Sequence, residues 1–307
     1  MERAFLGAEL LQGGLTRSQL RWRYEAVHPR IYVPRGALPS VQRDAHAAWL
    51  WTDRRGIVAG RAAAALHGAQ WVNPGTGIDM IAPRERPRPG VVMRNERIDW
   101  DEICAIGELA VTTPARTALD LARHLKRDLA VRHLDALAAA TGVTADDVAP
   151  LVERYRGWRG MKRARIALDL MDGGAQSPKE TWLRLLVIDA GYPRPRTQIR
   201  VHDGRDGGAE AFLDMGWDEP MIALDYDGEQ HQTDRPRFVH DIGRNALVDS
   251  QGWLDIHVVK EHSRGFTLHR LREAAERRQW FPSREVHQGR DRVGFDDPGV
   301  RLARYER

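Results

Sequence analysis

Cysteine is almost absent: Cys104 is the single thiol in 307 residues. One thiol excludes an internal disulfide and any zinc site built on cysteine, and it suits a reducing compartment. No apolar run approaches the roughly 20 residues that a membrane span needs. The first residues, Met1 to Leu6, form no signal-peptide apolar core. The chain therefore reads as soluble and cytoplasmic, with no membrane partner. It also has no Walker or dinucleotide glycine motif, no Ser-His-Asp or Cys-His arrangement and no internal repeat, which leaves several common enzyme classes without support.

What the chain has is charge, unevenly placed. The composition is 42% apolar and 29% charged, ordinary for globular domains, and the length allows two or three of them. Residues 1–43 hold seven arginines against three acids, a net of +4. Residues 203–241 hold eleven acids against three arginines, a net of −8. A basic front end and an acidic pocket fit a protein that grips phosphate with one part and holds a cation with another.

The acidic stretch reads as a hairpin. Residues 209–215 form one strand, Trp217–Pro220 the turn and Met221–Asp227 the second strand, because Pro220 cannot donate to a ladder and Asp favours turns. Side chains alternate with period two, so Ala223, Asp225 and Asp227 share a face. That turn places Asp214 opposite Ala223 and diagonal to Asp225, about 7–8 Å away. Like charges on neighbouring strands repel unless a hard cation offsets them, and Mg²⁺ takes carboxylates, waters and phosphate as ligands.

These residues, Asp214 followed by Asp225-Tyr226-Asp227-Gly228 and His231, resemble the PD-(D/E)XK nuclease superfamily, in its very-short-patch-repair-like branch of DUF559-type proteins. Ser177-Pro-Lys-Glu180 with Arg184, then Gly191 to Pro195 and Gln198, resemble the opening helix, loop and first strand of that branch. Asp241-Ile-Gly-Arg244, Leu247 and Gly252-Trp253 resemble its second helix and last strand. Asp225 stands where the superfamily usually has Glu, and Asp227 where it usually has Lys. The resemblance implies a restriction-endonuclease-like mixed sheet flanked by helices. It further implies a metal-dependent endonuclease or nicking enzyme that hydrolyses phosphodiester bonds of DNA with Mg²⁺ or Mn²⁺. Asp214 and Asp225 would then be metal ligands and Asp227 would orient the attacking water. Glu180 would add a ligand through water, and His231 would serve as acid or base. Gln198, Asp241 and Arg244 would support them.

At the other end, Thr16-Arg-Ser-Gln19 is a capping box that follows the break Gly13-Gly14. The spacing predicts helices over 5–11 and 17–26 and a short strand over 30–33. Helix, tight turn, basic helix and strand is the order of a winged helix-turn-helix, in which Arg17, Arg21 and Arg23 would contact DNA. This region and the middle resemble AbiEi-type antitoxins. That likeness implies the alternative function: a DNA-binding transcriptional regulator with an inactive nuclease fold and a possible cognate toxin as partner.

The fold expected is α/β. Residues 1–43 form the winged helix-turn-helix, and 44–172 a mostly helical middle with some strand. Residues 173–280 form the nuclease-like domain, and 281–307 a disordered tail. In the middle, an alanine-rich helical pattern spans 44–75, with strands at 78–81 and 91–94. Thr113 and Pro114 open a further helix as cap and first residue. His67 and Arg116 read as structural, since nothing near them has ligand or nucleophile spacing.

Overall fold

The computed structural model describes residues 3–82, 88–205, 208–228 and 235–282, the last without the side chains of 235–241. His231, the side chain of Asp241 and the proposed tail beyond 282 lie outside the described residues.

The chain opens with β1 (Phe5–Leu6), α1 (Gly7–Gln12), α2 (Arg17–Arg23), β2 (Tyr24–His28) and β3 (Ile31–Pro34), in a sheet of order β1-β3-β2. The capping box is present: the Thr16 hydroxyl accepts from the Gln19 N–H, and the Gln19 side chain accepts from the Thr16 N–H at 2.9 Å. Two boundaries differ from the sequence reading. Phe5 and Leu6 pair with β3 and are not helical, and Tyr24 to Ala26 extend as a strand instead of continuing α2. The cause is tertiary. Tyr24 packs edge-on against Phe5, with ring centroids 5.9 Å apart, and the Arg35 guanidinium donates to the Arg21 and Trp22 carbonyls, which the helix end leaves without partners.

The middle opens with α3 (Val41–Trp51), β4 (Ile57–Ala59) and α4 (Gly60–Leu66), followed by β5 (Ile78–Ile81), β6 (Val91–Arg94), β7 (Ile103–Ile106) and β8 (Leu109–Thr112). The five strands form one sheet of order β6-β5-β4-β8-β7. The alanine-rich stretch is thus two helices with a strand between them. Asp53 and Arg54 take left-handed backbone angles (φ 50° and 62°) that end α3. Gly60 turns the chain from β4 into α4 at φ 56°, where a Cβ would meet the Asp79 carboxylate at 2.7 Å. Buried Ala45, Ala48 and Trp49 of α3 share one core with Ile31 and Val33 of β3 and with Val58, Met80 and Val111 of this sheet.

Four helices follow: α5 (Pro114–His124), α6 (Arg127–Thr141), α7 (Ala145–Arg154) and α8 (Met161–Asp169). Thr113 caps α5 by accepting from the Arg116 N–H, and Pro114 sits in its first turn. Leu119, Leu134, Val148 and Ala164 meet in a second core.

The last part runs α9 (Pro178–Asp189), β9 (Arg196–His202), β10 (Glu210–Trp217), β11 (Ile222–Asp227), α10 (Arg235–Ser250), β12 (Leu254–Val259) and α11 (Arg264–Arg277). The sheet order is β12-β11-β10-β9, antiparallel except for the β11–β12 pair, which α10 connects as a crossover. One sheet face packs Met215, Leu224, Ile256 and Val258 against Leu183 and Leu186 of α9 and Leu271 of α11. The other packs Ile199, Leu213 and Ala223 against Leu247 and Val248 of α10.

α9 belongs to two cores at once. Leu185 and Ile188 join the helical core of the middle region, while Leu183 and Leu186 join the last sheet. Between them, fully buried Arg184 donates to Asp135 of α6 at 2.7 Å and to the Leu170 carbonyl at 2.8 Å. Asp135 also accepts from the Thr181 hydroxyl and the Asp172 N–H, each at 2.8 Å. A chain cut at Gly173 would separate Arg184 from this partner. Breaking such a buried pair costs about 3–5 kcal/mol, because the remaining charge stays buried.

Candidate functional site

The hairpin of β10 and β11 turns one residue later than its sequence suggests, at 218–221, with Met221 left-handed at φ 52°. The register pairs Met215 with Leu224 and Gly216 with Ala223. Asp214 therefore faces Asp225 directly and not Ala223. The ladder stops there, and the two carboxylates take over its work. Asp225 Oδ1 accepts from the Asp214 N–H at 2.8 Å, and Asp214 Oδ2 accepts from the Tyr226 N–H at 2.7 Å. Each aspartate is thus pinned to the opposite strand by a main-chain donor.

Asp225 is nearly fully buried, and its Oδ2 accepts from Arg244 of α10. Arg244 also donates to the Phe212 carbonyl at 2.9 Å and approaches Asp255 Oδ2 at 3.5 Å. Glu180, in the first turn of α9, is buried with Oε2 on the Gln176 N–H at 2.7 Å. Gln198 takes φ 50°, and its side-chain oxygen accepts from the Gln176 amide at 2.9 Å, so it tethers the loop before α9 to β9.

Two residues here escaped the sequence reading. Asp255 and His257 on β12 lie opposite Ala223 and Asp225 in the parallel register. His257 Nδ1 meets Asp227 at 3.0 Å and Nε2 meets Asp255 at 3.4 Å. Alternation in Leu254-Asp-Ile-His-Val was the available signal: Leu254, Ile256 and Val258 share one face, and Asp255 and His257 the other.

The acids outnumber the cations, and the protons report it. Burial, then the charges of Asp225 and Glu180, push Asp214 up to about 8. Burial, then Asp225, push Asp255 up to about 7 although His257 and Arg244 oppose this. Burial also raises Glu180. The hydrogen bond to Asp227 lifts His257 to about 9, so it is an imidazolium at neutral pH. The donor set of Asp214, Asp225 and Glu180 is all oxygen and negatively charged, which is the chemistry a hard divalent cation requires. The donor type suits such an ion, but the three residues do not bring ligand atoms within 4.8 Å of one another, and Asp225 gives its oxygens to the Asp214 N–H and to Arg244.

At the N-terminal end, Leu20 is the one buried residue of α2. Arg17, Arg21 and Arg23 are exposed, and Trp22 beside them is 78% exposed. No packing demand explains this face.

In the middle region, His67 Nε2 lies 2.7 Å from the Thr112 carbonyl, and Arg116 is fully buried. Arg116 pairs with Glu102 and Asp120 and stacks over Tyr155 and Trp158. Both residues are structural, as their sequence surroundings suggested. Among the described residues, two groups have ligand atoms within 4.8 Å of one another: Glu96 with Asp120 and His124, and Asp99 with Asp101 and Glu102. Arginines already neutralise them: Arg123 pairs with Glu96, Arg116 with Asp120, and Arg154 with Asp101 and Glu102. Among the described residues, no helix is long and apolar enough to cross a membrane.

Comparison with known proteins gives three results. Residues 56–170, from β4 through α8, match the family described as AbiEi antitoxin C-terminal domain. Two Mycobacterium tuberculosis proteins, "Uncharacterized protein Rv2248" of strain H37Rv and "Uncharacterized protein MT2308" of strain CDC 1551, are each 32% identical over 203 residues, covering 66% of this chain and 73% of theirs. No solved structure matches the chain significantly.

Proposed function

Because the chain belongs to the family of those two mycobacterial proteins and its middle matches the AbiEi antitoxin C-terminal domain, we propose that it is a DNA-binding protein of the antitoxin type. The observation that carries this reading is α2. Three exposed arginines and an exposed tryptophan stand on a capped helix followed by the β2–β3 hairpin, an order suited to presenting a short helix to duplex DNA with the hairpin as wing. Arginines so placed would bind phosphates and make affinity depend on salt through counterion release. A cognate toxin is the further partner that this reading implies. The test is duplex binding at several salt concentrations by wild type and by the Arg17→Ala/Arg21→Ala/Arg23→Ala variant. The variant should bind more weakly, with a salt slope shallower by about 2–3. An unchanged slope would remove α2 as the DNA-reading element.

A second reading concerns the other end of the chain: metal-dependent hydrolysis of DNA phosphodiester bonds. It is favoured by one specific observation, Asp214 on the strand beside Asp225, its carboxyl raised to about 8 by burial and by the charges of Asp225 and Glu180. Asp214 and Asp225 would hold Mg²⁺ or Mn²⁺, with Glu180 contributing through water. The bound ion would polarise the phosphate and acidify a water. Asp227 and the His257 imidazolium would orient that water or the phosphate, in the place where the superfamily usually has Lys. Purified protein incubated with linear and supercoiled DNA, with and without Mn²⁺, tests this reading. Cleavage that Asp214→Asn abolishes while duplex affinity persists supports it. Equal cleavage by variant and wild type places the activity elsewhere in the chain or in a contaminant.

A further inference from the structure

In the middle region, cations gather without a counterion. Arg61 stands in the first turn of α4, and Arg132 and His133 adjoin each other on α6, which packs against α4. Arg61 and Arg132 are half-buried, yet neither forms an ion pair among the described residues. The Nε of each is buried without a hydrogen-bond partner. His133 is only 3% exposed, and its Nδ1 also lacks a partner. Three unpaired groups from two helices point to a missing acceptor, because an unsatisfied buried donor costs about 1–3 kcal/mol.

The carboxylates nearby are already committed. Arg61 borders a cavity of about 10 Å³ that Asp79, Glu96, Asp120 and His124 also line. Asp79 is paired with Arg94, Glu96 with Arg123 and His124, and Asp120 with Arg116 through Oδ1, while Asp120 Oδ2 is buried without a hydrogen bond. On α6 itself, Asp128 is held by Arg127 and Asp135 by Arg184. None of these acids forms an ion pair with Arg61 or Arg132.

We propose that Arg61, Arg132 and His133 form a binding site for a phosphate-type oxyanion between α4 and α6. Guanidinium forks match the oxygens of a tetrahedral anion in pairs, and a neutral imidazole supplies one further N–H. The groups feel one another as the geometry requires. Burial, then Arg132 and Arg61, lower the His133 ring to about 4, and burial, then Arg61, lower Arg132. A bound anion reverses both charge effects. The site is separate from α2 and from the acidic cluster of the last sheet, so it stands or falls independently of the proposed function.

The test is calorimetric titration of the full chain with inorganic phosphate at constant ionic strength. Wild type should give saturable heat. Arg61→Gln/Arg132→Gln should abolish it, and Arg132→Lys, which keeps the charge but loses the fork, should weaken it about tenfold. Lys162→Gln/Arg165→Gln, an equal loss of charge at exposed positions of α8, should leave it unchanged. A short duplex that displaces the phosphate identifies a DNA phosphodiester as the natural ligand, and failure to displace it identifies a free phosphorylated molecule. Absence of saturable heat in wild type, or heat that survives in the Arg132→Lys variant at full strength, would overturn the site.

Discussion

The middle region and the last sheet each bury a cluster of charges, and they treat it in opposite ways. Around Arg116, carboxylates and guanidiniums are matched. Glu102 meets Arg116 and Arg154, while Glu96 meets Arg123 and His124. Although burial opposes it, hydrogen bonds from His124 and Arg123 hold Glu96 down at about 2. Around Asp225, four carboxylates from α9, β10, β11 and β12 face Arg244 and His257, and Asp214 and Asp255 rise to about 8 and 7. Near-complete pairing makes a fastener, because almost every charge is satisfied within the fold. Incomplete pairing leaves electrostatic work for something bound, which is why a surplus of buried acid marks a candidate site. Asp120 is the exception within the fastener: full burial raises it to about 6 despite Arg116.

If this contrast is right, the largest effect should come from breaking the matched cluster. Arg116→Ala would take the fully buried partner from Glu102 and Asp120, leaving Glu102 to Arg154 and Tyr155 and Asp120 to Arg123, and denaturant unfolding should show a loss of about 3 kcal/mol. In the unmatched cluster, Asp214→Asn replaces a carboxyl that is mostly protonated at pH 7 and keeps its shape and an oxygen for the Tyr226 N–H. It should change stability at pH 7 by less than about 1 kcal/mol. Equal losses in the two variants would erase the distinction.

A smaller effect separates the regions by pH, followed by site-resolved hydrogen exchange in EDTA. The folded pKa of Glu96 is depressed from 4.5 to about 2, so its stabilisation is present above 4.5 and is lost as pH falls toward 2. Asp214 and Asp255 are raised from 3.8, so their contribution is present below 3.8 and is lost as pH rises through about 7 and 8. His257, raised from 6.5 to about 9, adds a loss in the same direction. The last sheet should therefore loosen toward alkaline pH and the middle toward acid. Asp214→Asn should flatten the alkaline limb, and an unaltered limb would mean that other groups cause it.

The smallest effect calibrates the others. Arg200 and Glu210 pair at 2.7 Å with side chains 63% and 49% exposed. Replacing both with Ala should cost no more than about 1 kcal/mol in the same unfolding assay, because water screens an exposed pair. A loss comparable to that of Arg116→Ala would show that ion-pair geometry matters here more than burial does.

Much was legible without coordinates. Capping residues Thr16 and Thr113 marked two helix starts, since a hydroxyl one residue before a helix satisfies an otherwise free N–H. Alternation in 222–227 gave a strand with its acids on one face. The spacing of exposed arginines on α2 follows from local periodicity alone. These features depend on neighbours a few residues away, so the chain itself determined them. Tertiary structure decided the rest. Whether Tyr24 continued a helix depended on Phe5 and Arg35, and the hairpin register depended on which rung left Met221 in the turn. Asp255 and His257 reached Asp225 only because a parallel crossover returns β12 beside β11. Arg184 became a rivet between two regions because Asp135, 49 positions earlier, lies across the helix interface. A single strand or helix can announce its own faces, but which charges meet, and whether they balance, is fixed only when distant segments are brought into one low-dielectric interior.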